Sequence, residues 1–197
     1  MKTKFDQLVD KLLNEGAFDD NLNDLMNRMH PPAEPKLFGH HSSTEDYKVG
    51  PVYHGGGWNG VSMPSIRDGS YGTGVYFTTS KQRAMGYATE EREFKASKTR
   101  YLVEAMLGFY GKVLEINTKA KEGPQTALMR LTGWDERKAW NSIDKQFEKT
   151  GNLGKMLRVK GTAAGFDGLA IHNDTDTEYV VWFPQSIKVI KVEPVDF

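Results

Sequence analysis

Cysteine is absent from all 197 residues, which excludes disulfides, thiol nucleophiles and thiolate metal sites together. A charge of one sign is missing too. Lys and Arg number 26 and so do Asp and Glu, so no global field draws the chain to nucleic acid or to an anionic membrane, and only local patches remain open. No apolar run reaches the length that spans a bilayer, and the basic start at Lys2 and Lys4 leads into neither an apolar h-region nor a small-residue cleavage site. These absences give the expectation of a cytoplasmic protein with no membrane attachment. The length suits one well-cored domain with an appendage.

Phe5, Leu8, Val9, Leu12 and Leu13 fall on one face of a helix that Gly16 can end, and Leu22, Leu25, Met26 and Met29 repeat the spacing before Pro31-Pro32. Residues 1–30 are therefore expected to form a helical hairpin. Residues 31–49, rich in proline and small polar residues, read as a linker, and its His40-His41 pair lacks the further ligands a metal site needs. From residue 50 onward short strands flank a helical middle. Period-two alternation over 101–107 and β-branched runs at 112–116, 169–172, 178–182 and 187–192 predict strands. The segment Pro124 to Lys160 reads as helical with breaks at Gly133, Gly151 and Gly161. Its stripe Ala139, Trp140, Ile143 and Phe147 is expected to be core, and Lys149, Lys155, Arg158 and Lys160 read as a solvated helical face ahead of a basic patch near the cleft. Without regular strand–helix alternation, the fold class is α+β.

The chain is organised around Val52 to Ala88. Pro51-Val-Tyr-His54 is a short strand ending in a histidine and then Gly55, Gly56 and Gly57. Val75 to Thr78, a β-branched and aromatic run holding Tyr76 with Gly72 and Gly74 punctuating its start, is a second strand, and Lys81 to Ala88 reads as a helix carrying Tyr87, eleven residues after Tyr76. Near the end, Thr177-Glu178-Tyr-Val-Val-Trp182 places an acid at the start of a further strand. Gly69 to Gly74 lacks the lysine of a phosphate-binding loop, and Asp174-Thr-Asp176-Thr-Glu178 lacks the glycine and distant glutamate of a calcium loop.

In that order, His54, Tyr76 with Tyr87, and Glu178 resemble the His-Tyr-Glu class of ADP-ribosyltransferases, which includes poly(ADP-ribose) polymerases, diphtheria toxin and smaller bacteriophage and mobile-element forms. The resemblance covers roughly residues 50–191. It implies a split antiparallel β-sandwich with flanking helices over residues 50–197, and NAD, with no metal, bound between the two halves as co-substrate. It further implies that His54 holds the adenosine ribose, Gly55 the carboxamide through its backbone, and Tyr76 and Tyr87 the nicotinamide ring. For Glu178 the resemblance implies that it binds the nicotinamide ribose and stabilises its developing positive charge. The rival Arg-Ser-Glu class would need an arginine where His54 stands. Polymerase members carry a serine three residues before the second tyrosine; here Ala84 occupies that place, and Thr78, Thr79 or Ser80 could supply the missing contact.

Breaking the nicotinamide–ribose bond passes through an oxocarbenium-like sugar, and the pyridinium departs neutral without needing an acid. Orientation, a flat slot and one negative charge are what such a site must provide. The resemblance implies a mono-ADP-ribosyltransferase acting on a macromolecular acceptor, a host protein ahead of nucleic acid. NAD hydrolysis, or a silent NAD- or ADP-ribose-binding or virion-associated module, is the alternative.

Overall fold

The structure is a computed structural model that describes residues 47–89 and 99–195. The expected N-terminal hairpin and the His40-His41 pair lie outside those residues, as does the segment 90–98, which from its sequence is expected to prolong the Lys81 helix with a charged outer face. Among the described residues there are eight strands and four α-helices: β1 (Val49–Gly56), β2 (Arg67–Gly69), β3 (Gly72–Thr78), α1 (Lys81–Thr89), β4 (Arg100–Leu107), β5 (Lys112–Asn117), α2 (Pro124–Thr132), α3 (Glu136–Thr150), α4 (Met156–Ala163), β6 (Phe166–His172), β7 (Thr177–Val181) and β8 (Ile187–Val195). The sheet runs β5-β6-β7-β3-β1-β4-β8, with β2 paired to β3 off this path.

This order is the α+β architecture expected from the sequence, and the split is visible in the register. β1 pairs with β4 along most of its length, and β3 with β7, but β1 and β3 meet only at Tyr53 and Thr78. Two half-sheets, β1-β4-β8 and β5-β6-β7-β3, are therefore joined by a single backbone pairing. One pair departs from the antiparallel expectation: β5 and β6 run parallel, because the helical middle connects them as one crossover and a crossover returns the chain in the same direction.

That helical middle is three helices. Pro124 stands at the start of α2, and Gly133, in the left-handed region at φ 68°, closes it with its N–H on the Met129 carbonyl. Asp135 caps α3 by accepting from the Lys138 N–H at 2.8 Å, and Gly151 at φ 74° ends it. The stripe expected to be core is only half so. Ala139 and Ile143 are buried, whereas Trp140 and Phe147 are 43% and 47% exposed, since 3.6-residue periodicity marks a face but not how wide a strip the neighbouring helices cover. The four-residue basic patch does not form either. Arg158 is buried, and the Lys160 ammonium lies 5.1 Å from the Trp134 ring centroid.

The main core spans the two half-sheets. Val52, Trp58, Val75, Phe77, Val103, Ala105, Leu107, Val181 and Ile187 make one buried cluster. Each comes from the inward face of a strand or the loop after β1, which is the period-two logic of the sequence realised in space. On the other side α4 packs against β3 and β6. Gly161, expected as a helix break, lies inside α4, and its missing side chain is what lets the helix approach: a Cβ there would lie 2.1 Å from the buried Trp182 ring.

Candidate active site

The strand end at His54 and the strand carrying Tyr76 separate beyond their single pairing, and a cleft of about 610 Å3 occupies the gap. That volume lies within the ~300–1,000 Å3 usual for small-molecule sites. Its walls include His54, Gly55, Tyr76, Tyr87 and Glu178 together. Four separate elements contribute: His54 and Gly55 stand on β1, Tyr76 on β3, Tyr87 on α1 and Glu178 on β7. A second depression of about 440 Å3 lies on the outer face of α3, around Asp135, Arg137, Lys138, Asn141, Ser142 and Lys145. All six come from one helix and its cap, so it has a single wall and encloses nothing.

His54 is locked in one tautomer. Its Nδ1 lies 2.8 Å from the Tyr76 carbonyl oxygen, which can only accept, so Nδ1 carries the proton and Nε2 is a bare acceptor. Burial against Trp58 and Phe77, whose ring centroids are each 5.7 Å away, pushes the imidazole pKa below 6.5; the Tyr76 carbonyl opposes that shift and Arg67 adds to it. Space beside Nε2 is kept by Gly56, where a Cβ would come within 3.4 Å of that nitrogen.

Tyr76 offers a ring and little else. Its hydroxyl donates to the Gly72 carbonyl at 2.5 Å and accepts from the Tyr71 N–H at 3.2 Å. Burial holds the phenol far above its ordinary pKa, partly offset by that Tyr71 bond, with the charges of Glu178 and Asp68 adding. A Cβ at Gly69 would meet the Tyr76 ring at 2.5 Å, so the glycine lets β2 lie directly against it. Tyr87 is more open, at 42% exposure, and takes a hydrogen bond from Arg83 Nε at 3.1 Å.

Glu178 sits opposite Thr78 on β3 and Ile171 on β6. Burial raises its carboxyl pKa, Arg83 pulls it back down, and Asp176 raises it again. Asp176 itself is buried, accepting from Thr78 Oγ1 at 2.5 Å and from Arg83 Nη1 at 2.8 Å. Among the described residues no group of three or more His, Asp or Glu side chains could hold a metal ion.

The model of the family described as ADP-ribosyltransferase in polyvalent proteins matches residues 48–197. The chain belongs to this family. The activity of that family is ADP-ribosylation, with NAD as co-substrate. Among solved structures the chain is similar to a crystal structure of an anti-CRISPR protein, with 18% identity and a TM-score of 0.33 over 73% of this chain and 93% of that one. No curated protein matches it. No helix among the described residues is long and apolar enough to cross a membrane.

Within this ADP-ribosyltransferase domain, Ala84 is fully buried and does not line the cleft. Thr79 and Ser80, considered as its substitutes, do not line it either: Thr79 Oγ1 accepts from the Thr177 N–H, and Ser80 Oγ accepts from the Arg83 N–H at the start of α1. Thr78 does reach the cleft, but its proton is committed to Asp176. Gly55 has a further reason to be glycine. A Cβ on it would lie 1.8 Å from the Ala84 carbonyl oxygen, so β1 and the α1 backbone touch there.

Sequence reading missed Arg83, Trp58, Arg67 and Tyr71, which all line the cleft. Arg83 stands four residues before Tyr87, so helical spacing alone puts the two on one face. Nothing in the order of residues marks Trp58 or Tyr71 as neighbours of the site.

Proposed function

We propose that this chain is a mono-ADP-ribosyltransferase that cleaves the nicotinamide–ribose bond of NAD and passes one ADP-ribose to a macromolecular acceptor, a protein ahead of nucleic acid, in a bacterial or phage-infected cytoplasm. The observation that carries this reading is the convergence of His54, Gly55, Tyr76, Tyr87 and Glu178 on one cleft from four separate elements. The donor set also fits NAD. A neutral imidazole with a bare nitrogen accepts a sugar hydroxyl, phenol faces suit a pyridinium, and a partly buried carboxylate suits the ribose that becomes positive.

Each residue then has a distinct task. His54, through Nε2, accepts from the adenosine ribose, and its depressed pKa keeps that nitrogen unprotonated at neutral pH. Tyr76 and Tyr87 flank the nicotinamide, Tyr76 as the more buried wall and Tyr87 as the more exposed one. Gly55 presents backbone to the carboxamide. Glu178 accepts from the nicotinamide ribose, stabilises charge as the bond to nicotinamide breaks, and orients the incoming nucleophile.

Two results bear on the roles directly. Because the Tyr76 hydroxyl serves Gly72 and Tyr71 and not the cleft, Tyr76→Phe is expected to keep nicotinamide release within about thirtyfold of wild type, the scale of the two net hydrogen bonds lost. Tyr76→Ala removes the ring and is expected to raise the KM for NAD far more. Steady-state nicotinamide release over a range of NAD concentrations measures both.

The reading as a whole is tested by incubating wild type and Glu178→Ala with NAD labelled in its adenylate part in bacterial lysate. Label in macromolecules that protease releases and nuclease does not, absent from the variant, is the expected result. Label released by nuclease would move the acceptor to nucleic acid. Free ADP-ribose alone would make the protein an NAD glycohydrolase, and no turnover of NAD by wild type would leave a silent binding module.

A further inference from the structure

Arg83 reaches in two directions at once. Its Nε donates to the Tyr87 hydroxyl at 3.1 Å, one helical turn on along α1, and its Nη1 donates to Asp176 Oδ1 at 2.8 Å, just ahead of β7. The arginine side chain is 41% exposed, whereas that of Asp176 is 1% exposed. Asp176 is fixed further by Thr78 Oγ1, opposite Glu178 on the neighbouring strand, and by Asn173 Nδ2 at 3.3 Å. The guanidinium therefore ties the freer wall of the cleft to the strand that bears Glu178, using the rigid fork of donors that lysine lacks.

We infer that Arg83 is a positioning residue for the transfer step, bracing Tyr87 on α1 against Asp176 so that the outer wall of the nicotinamide end and the Glu178 strand are held together. This rests on the function proposed above and adds to it a residue that need not touch NAD. The brace has an electrostatic side as well. The titratable and charged groups around Glu178 are Arg83 from α1, Asp176 from the turn before β7, and Tyr71 and Tyr76 from the β2–β3 hairpin and β3. Arg83 is the cation in that set. Without it, Asp176 is a buried carboxylate lacking its charge partner, two residues from a second one. Glu178 then holds its proton to higher pH.

The test is the pH dependence of nicotinamide release from NAD, which needs no acceptor, in wild type, Arg83→Gln, Arg83→Lys, Asp176→Asn and the Arg83→Gln/Asp176→Asn pair. Arg83→Gln should move the acidic limb of kcat to higher pH by about one unit, a tenfold change in proton affinity, and raise the KM for NAD as Tyr87 is released. Asp176→Asn should move the same limb to lower pH, because the like charge is gone and Arg83 remains. The double variant should return the limb towards wild type while keeping the raised KM. Arg83→Lys should recover the limb more than the KM, since an ammonium restores charge but not both fixed donors.

A limb that stays in place in both Arg83→Gln and Asp176→Asn overturns the inference. If Arg83→Gln does not fold, judged by its thermal transition, the direction of the Asp176→Asn shift decides alone, and a shift to higher pH or none overturns it. The underlying reading fails separately: no nicotinamide release by wild type removes the function and wild-type turnover by Glu178→Gln removes the role of that carboxylate, whereas an active wild type and a dead Glu178→Gln beside unshifted Arg83 and Asp176 variants remove only the brace.

Discussion

Glu178→Gln is expected to bind NAD close to normally and to lose about 10²–10³-fold in nicotinamide release, the range found when one preorganised group that stabilises transition-state charge is removed. The amide keeps the size and hydrogen-bonding reach of the carboxylate but not its charge. Only the bond-breaking step, in which the ribose becomes positive, should suffer. Fluorescence or calorimetric titration with NAD checks the first half of the statement and turnover the second; wild-type turnover would falsify the assignment. The same carboxylate sets the pH response. Burial lifts its pKa above the ordinary 4.5, so activity that depends on the ionised form should fall on the acid side with a midpoint above 4.5. His54 adds no loss near neutrality, because its pKa is pushed below 6.5 and the working form is the neutral one. A rate that is level from neutral pH upward and falls on acidification is the expected profile.

Gly55→Ala should damage stability and activity together. The added Cβ would lie 1.8 Å from the Ala84 carbonyl oxygen, 2.8 Å from its carbon and 2.9 Å from the Ala88 nitrogen. All three are helix backbone and cannot rotate aside, so α1 must move off β1. Ala84 and Ala88 are fully buried, which leaves no soft side chain to absorb the shift. Overpacking of this kind costs about 3 kcal/mol at its upper ordinary range, readable as a lowered midpoint in urea or heat. Because Tyr87 rides on the same helix, NAD turnover should drop even at temperatures where the variant remains folded. A variant with wild-type stability and turnover would show that the contact between β1 and α1 relaxes freely.

Much of this was legible in the residues before the structure. The strands at 101–107, 112–116 and 178–182 announce themselves through alternation and β-branching, since each has one side in the core and the pattern records it. The cleft residues were found because their spacing matched a family, not because periodicity pointed to them. What stayed hidden is what depends on distance across the chain. From sequence Asp176 reads equally as a turn residue or as one of a pair of acids with Glu178, similar to that of the Arg-Ser-Glu class, and its Thr78 and Arg83 partners, 98 and 93 positions away, are what fix its place. Trp140 and Phe147 look like core from the helix repeat, but the helices packed against α3 cover only the strip around Ala139 and Ile143. The direction of β5 and β6 likewise follows from the crossover between them and not from either strand's own residues.

The lone backbone pairing of Tyr53 with Thr78 has a mechanical consequence. A sheet ordinarily resists being pulled apart through a ladder of many rungs, and here the two leaves share one rung at the line along which the dinucleotide would lie. A molecule held by His54 on one leaf and Glu178 on the other supplies the missing cross-links. Occupancy of the cleft and stiffness across the seam thereby become one quantity, and amide exchange along β1 and β3 should slow as the co-substrate binds.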